Sequence, residues 1–116
     1  HLRTNNSWMH NIAALSTKNP CTLRVNPEDA ARLELQDGQT ARITSDAGTV
    51  SAPVEITDRI MEGVVSLPHG WGHDMKGMQM QVAAKNPGVN TNRIVPAKID
   101  PLSATAVLNG ISVTVD

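Results

Sequence analysis

The alternation of side chains across residues 39–56 constrains the fold more than any other feature. In Gln39–Ser45, Ala41 and Ile43 fall on one side, and Thr40, Arg42 and Thr44 on the other. After Asp46-Ala47-Gly48, Val50, Ala52, Val54 and Ile56 alternate with Thr49, Ser51, Pro53 and Glu55. A period of two is that of a half-buried strand, and Asp-Ala-Gly suits a tight turn. The stretch therefore predicts a β-hairpin with one apolar face. Pro53 lacks a backbone N–H and predicts an edge position or a bulge.

The remaining segments extend a β scaffold. Cys21–Val25 reads as a strand. Asn26-Pro27-Glu28-Asp29 is a helix start, with Asn26 as cap, Pro27 in the first turn and two carboxylates at the positive end. Ala30, Ala31 and Leu33 carry this helix to about Leu35, and Asp37-Gly38 ends it in a turn. Thr57-Asp58 is expected to cap one helical turn over Arg59-Ile60-Met61-Glu62, closed by Gly63. Val64–Leu67 is expected to return as a strand. Thr105–Leu108 and Ile111–Val115 alternate around Asn109-Gly110, a type I′ hairpin signal. Trp8, Ile12 and Leu15 fall at helical spacing, predicting a short helix from Ser7 to Leu15 with one apolar face. Its N-cap would be Asn6 or Ser7. About six short strands and two small helices imply an all-β barrel with helical insertions. The 116 residues suffice for one domain. Phe and Tyr are absent, so aliphatic side chains must fill its core.

Charge narrows the function. The formal net charge is −1, with no Lys/Arg cluster. That predicts no nucleic-acid partner and no anionic membrane surface. No apolar run approaches membrane-spanning length, which predicts no membrane contact by this domain. The single Cys21 excludes an internal disulfide and any CxxC motif; it is expected to be a small buried strand residue. The chain begins with His, not Met, which predicts a piece of a longer polypeptide.

Three polar segments stand out. Leu67-Pro68-His69-Gly70-Trp71-Gly72-His73-Asp74 follows an apolar run that Pro68 would stop. Gly70 and Gly72 permit close approach to the backbone. Trp71 offers a flat face and an N–H, and His69 and His73 can donate or accept. Arg3…Asn6-Ser7-Trp8-Met9-His10-Asn11 opens the chain. In a helical frame Asn6 and His10, and likewise Ser7 and Asn11, are neighbours, and Arg3 lies beside an N-terminus suited to phosphate. Asn90-Thr91-Asn92 sits in the long connection 75–96, with amides suited to a ring edge. Flat surface, bare amides and uncharged donors fit a planar heterocycle carrying phosphate. The plainer alternatives are a core-capping Trp, solvated His residues and ordinary turn chemistry.

With these pieces in place, the sequence resembles the C-terminal, molybdopterin-dinucleotide-binding domain of the dimethyl sulfoxide reductase family of molybdenum and tungsten oxidoreductases. Four signatures match in order. They are Arg3…Asn6-Ser7-Trp8-Met9-His10-Asn11; Val25-Asn26-Pro27-Glu28-Asp29-Ala30 leading to Asp37-Gly38; Thr57-Asp58…Gly63-Val64-Val65 into His69-Gly70-Trp71-Gly72-His73; and Gly88…Asn90-Thr91-Asn92 before Asp100-Pro101-Leu102-Ser103. The resemblance implies a double-psi β-barrel over residues 1–116, closing over a bis-molybdopterin guanine dinucleotide cofactor. It implies cofactor contacts from Arg3, Asn6, Ser7, Trp8, His10 and Asn11, then His69, Trp71 and His73, then Asn90 and Asn92. It implies no metal ligand and no catalytic acid or base in this domain; other domains of the parent oxidoreductase hold the molybdenum or tungsten and are the partners. Substrate, electron partner and compartment stay open.

Two rivals come from other classes. A double-psi barrel also serves as a protein-interaction module, since fold alone does not fix function. An enzyme in its own right would need other signals. No Gly precedes a Ser for the self-cleaving decarboxylase chemistry the barrel also supports. A zinc hydrolase on His69, His73 and Asp74 would rest on a loop with two Gly.

Overall fold

The computed structural model describes residues 7–15 and 21–116, apart from the Ser7 side chain. Its centre is the expected hairpin. Strands β2 (Thr40–Ser45) and β3 (Gly48–Ile56) pair antiparallel, with Ile43 opposite Val50 and Ala41 opposite Ala52. These four and Val54 are buried, as the alternation requires.

Strand β1 is Leu23–Val25, two residues shorter than expected, and it pairs parallel to the end of β3, Leu23 opposite Val54. Strand β4, Thr114–Val115, pairs antiparallel to β2. The sheet order is β1-β3-β2-β4. Strand outweighs helix, and the sheet curls as a half-barrel around Leu23, Val25, Ile43, Val50 and Val54. Pro53 therefore lies in a central strand, not an edge. The Val54 N–H donates to Gln39 at 2.7 Å, so the Pro53 nitrogen faces the other side, one residue before β1 pairing begins. Successive amides alternate between strand edges, so no ladder bond is lost there.

Helix α2 spans Pro27–Arg32, ending short of the expected Leu35. The Asn26 side chain accepts from the Glu28 N–H at 2.9 Å, the cap the sequence called for. The same side chain donates to the Ile60 carbonyl at 2.8 Å. Asp29, buried, accepts from the Gly63 N–H at 2.7 Å and pairs with Arg32. Helix α2 is thus tied to the 57–63 connection at two points.

Four expectations need correction. Residues 59–62 form turns, not a helical turn: Thr57 Oγ1 accepts from the Arg59 N–H, and Asn26 takes the Ile60 carbonyl. Val64–Leu67 is not a full strand; it keeps one antiparallel bridge, Ser66 to Arg24. The 105–115 hairpin does not form. Ala106 bridges to Ile99, and Thr114-Val115 leaves to pair with Thr44 and Ile43. Alternation marks which face is apolar but does not name the partner strand. The helix over Ser7–Leu15 breaks after one turn. Helix α1 is Ser7–His10, and Ala13–Leu15 is a 3₁₀ turn. Trp8, Ile12 and Leu15, its expected apolar face, are all exposed. Asn11 explains the break: its side chain is committed elsewhere, and Asn favours local alternatives to a helix interior.

Candidate functional site

The site forms where three segments, distant in sequence, lock together. The His10 Nδ1 lies 2.8 Å from the His73 Nε2, a buried hydrogen bond. The His10 ring stacks on Trp71, with centroids 3.8 Å apart and planes 19° from parallel. His73 stands edge-on to His10 and tilted against Trp71. All three are nearly closed to solvent, at 7%, 8% and 3% exposure for His10, Trp71 and His73. Burial pushes the His73 imidazole below its usual pKa, and a charge on His10 would push it the same way, while Asp74 opposes both.

One residue along, the Asn11 Oδ1 accepts from the N–H groups of Val82 and Ala83 at 2.9 and 3.1 Å. These amides open the 3₁₀ turn Ala83–Lys85, whose first N–H groups have no partner within the turn. Asn11 thus serves as a cap supplied from a remote segment.

The second and third segments also meet. Asn90 caps the 3₁₀ turn Thr91–Arg93, accepting from the Asn92 N–H at 3.0 Å. Its Cβ lies against Gly72: a Cβ added at Gly72 would sit 2.6 Å from it, and φ there is +106°. The exposed His69 Nε2 is 3.3 Å from the Asn92 Oδ1. The hairpin holds this third segment in place. Ser45 donates its hydroxyl to the Ile94 carbonyl at 2.7 Å, and Gly48 lies directly under the Arg93 carbonyl.

Six of the predicted residues therefore come together: His10, Trp71 and His73 in one cluster, and His69, Asn90 and Asn92 in a second that meets it at Gly72, while Asn11 reaches instead to the Val82 and Ala83 amides. Trp8 joins neither; it is 85% exposed. Arg3 and Asn6 lie outside the described residues, as does the Ser7 side chain. The expected role of Trp71 as an open stacking face is corrected, because His10 covers one face of the ring. The zinc arrangement also fails: His73 bonds to His10, and His69 faces Asn92. Among the described residues no group of three or more His, Cys, Asp or Glu is placed to hold a metal ion. No helix there is long and apolar enough to cross a membrane.

Sequence reading missed two supports. The Pro87 carbonyl accepts from both Gly72 and His73, at 2.8 and 3.0 Å. Gly88, at φ +61°, lets the chain pass Trp71 and Cys21; a Cβ there would meet the Trp71 Cε3 at 2.6 Å. Asn86-Pro87-Gly88 carried a signal, readable as a turn but not as a wall behind Trp71. Cys21, fully buried as expected, also accepts from the Val89 N–H at 3.3 Å.

Among the described residues, two buried side-chain polar atoms have no partner: the Trp71 Nε1 and the Thr91 Oγ1. An unpaired buried donor costs about 1–3 kcal/mol, so such atoms call for an explanation. Thr91 and His69 border a groove of about 750 Å³ on the inner side of the sheet, lined by Leu23, Ile43, Val65, Ile94 and Val113. The groove is the open interior of the half-barrel, distinct from the His10–Trp71–His73 cluster.

The described residues thus form a strand-rich half-barrel with uncharged hydrogen-bonding loops gathered beside it. The sequence profile described as "Molydopterin dinucleotide binding domain" matches residues 1–112, and the chain belongs to this family of molybdopterin-dinucleotide-binding domains. The chain is 28% identical to the arsenate respiratory reductase molybdopterin-containing subunit ArrA of Chrysiogenes arsenatis, over 92% of its length but 13% of that protein. It is 40% identical to the dimethyl sulfoxide reductase DmsA of Haemophilus influenzae over 52% of its length and 7% of that protein. The structure of acetylene hydratase from Pelobacter acetylenicus superposes with a TM-score of 0.65 at 19% identity, covering 81% of this chain and 14% of that one. That last likeness is one of fold. The chain spans about one-seventh or less of the length of these proteins.

Proposed function

We propose that this domain completes the cofactor pocket of a larger molybdenum or tungsten oxidoreductase, binding bis-molybdopterin guanine dinucleotide with its three polar segments. The meeting of those segments carries the reading. Residues at 10–11, 69–73 and 90–92 touch one another through His10–His73, Gly72–Asn90 and His69–Asn92. A core-capping Trp needs no such set of neutral donors around it. The orphaned Trp71 N–H, and the exposed His69 and Asn92, fit a group rich in ring nitrogens, carbonyls and phosphate oxygens. Bound there, the cofactor would supply the redox chemistry at its metal, held by other domains.

In this reading the chain's own residues bind and orient. His69 and Asn92 present donors and acceptors at the surface. Asn90 shapes the turn that carries Asn92. Cys21 and Gly88 set the position of Trp71. Arg3, Asn6, Ser7 and the exposed Trp8 extend the first cofactor-contacting segment. We infer a double-psi β-barrel as the fold to which the four-stranded half-barrel belongs. The His69→Ala/Asn92→Ala double variant of the full-length enzyme tests the site. Guanine nucleotide released per protein after acid hydrolysis should fall at least several-fold while the protein stays folded. Unchanged nucleotide content would sink the proposal.

A further inference from the structure

Two histidines, His10 and His73, face each other in the interior. We propose that His10 and His73 form a proton-operated latch that fastens residues 7–15 over Trp71. The bond is 2.8 Å between the His10 Nδ1 and the His73 Nε2. One nitrogen must donate and the other accept, so the pair tolerates at most one added proton. With two, both facing nitrogens carry hydrogens, and two like charges sit side by side in a poorly solvated place.

Polar contacts, not apolar packing, fasten the segment. They include His10–His73 and the two bonds that Asn11 accepts from Val82 and Ala83. The large apolar side chains Trp8, Ile12 and Leu15 are exposed. The stack of His10 on Trp71 is lost if the ring swings out. Opening the latch therefore loosens the segment and bares the indole face beneath it.

The charged surroundings set the sign. On α1 the one ionisable side chain among the described residues is His10. The loop carrying His73 adds Asp74, which favours the cation. The 86–88 turn that receives the Gly72 and His73 amides has no ionisable side chain, and the 3₁₀ turn beyond it carries Lys85, which is exposed. Burial and the His10 charge outweigh Asp74, so the neutral form of His73 is favoured in the closed state. A group with a depressed folded-state pKa contributes stability above its ordinary value of 6.5 and loses it as pH falls below that. The latch is closed at neutral pH and opens in acid.

The inference deepens the cofactor reading by naming what the segment covers, yet its test reads docking and not cofactor content. Hydrogen–deuterium exchange on the full-length protein, at pH 7.5 and 4.5 with times matched for intrinsic exchange, reports on peptides 79–85 and 40–56. Protection in 79–85 should fall several-fold at the lower pH, as the His73 imidazole kept neutral by burial takes up a proton on opening, while 40–56 is unchanged. His73→Gln, which cannot charge, should remove the pH dependence, and His10→Asn should do the same if His73→Gln does not fold. Wild-type protection in 79–85 that ignores pH, or a dependence that survives in a folded variant, overturns the latch. Failure of the cofactor reading would show separately, as unchanged guanine nucleotide content in the His69→Ala/Asn92→Ala enzyme.

Discussion

Residues 21–56 and residues 57–113 face the same problem and solve it differently. The first region satisfies its backbone in ladders and one capped helix, and buries a continuous aliphatic set. The second has almost no ladder. It relies on side chains reaching to backbone: Asn26 to Ile60, Asp29 to Gly63, Asn11 to Val82 and Ala83, and Ser45 to Ile94. These side chains belong to the first region or to the N-terminal segment. The loops carry the neutral polar groups, and the sheet and its helix hold the loops. Loops positioned by a rigid scaffold are a common seat of binding function.

Substitutions can separate the two regions. Ile43→Ala strikes the scaffold, where Ile43 is 1% exposed and lies between β3 and β4. Truncation of such a core residue should cost about 3 kcal/mol in denaturant unfolding. A cost under about 1 kcal/mol would mean that the hairpin is not the main support. Gly72→Ala strikes the loops, forcing a Cβ against Asn90 at a positive φ. It should cost about 2 kcal/mol and lower exchange protection around 87–92 first, with the hairpin amides still protected. If the hairpin loses protection in parallel, the two regions unfold as one unit. Asn26→Ala strikes the junction, removing the α2 cap and the bond to Ile60. About 1 kcal/mol is expected, smaller than the other two, with its local effect confined to α2 and 57–63.

The same contrast explains what was legible in the sequence. The hairpin could be read because period-two alternation and a turn tripeptide agree. Helix α2 could be read because Asn26, Pro27 and the first-turn acids are all local signals. Strand β4 could not. Ile111–Val115 alternates, but its partner, Ile43 and Thr44, lies far back along the chain, and the nearer Asn109-Gly110 turn signal competed with it. Val64–Leu67 read as a strand because it is apolar, yet only Ser66 finds a bridge. At the site, residue types pointed to eleven positions; of these His10, Trp71 and His73 cluster, His69, Asn90 and Asn92 gather beside them, Asn11 turns to Val82 and Ala83, Trp8 is exposed, and Arg3, Asn6 and the Ser7 side chain lie outside the described residues. Their arrangement was hidden. Nothing local says that His10 covers Trp71, that Asn11 caps a turn beginning at Ala83, or that Pro87 and Gly88 form the wall behind the indole.

Strand β3 serves two neighbours in succession, β2 along most of its length and β1 at its end. A shared rail of this kind imposes an order of assembly. The β2–β3 pairing closes across a tight turn and carries the least loop-closure entropy. Strand β1 must then wait for the helix between it and β2 to be brought round. The rung between Ile43 and Val115 comes last, since it encloses the whole of 57–113. Non-local rungs of that span are slow to form. During synthesis on the ribosome, the Trp71 neighbourhood emerges well before the strand that finishes the sheet, and it must stay soluble in the interval.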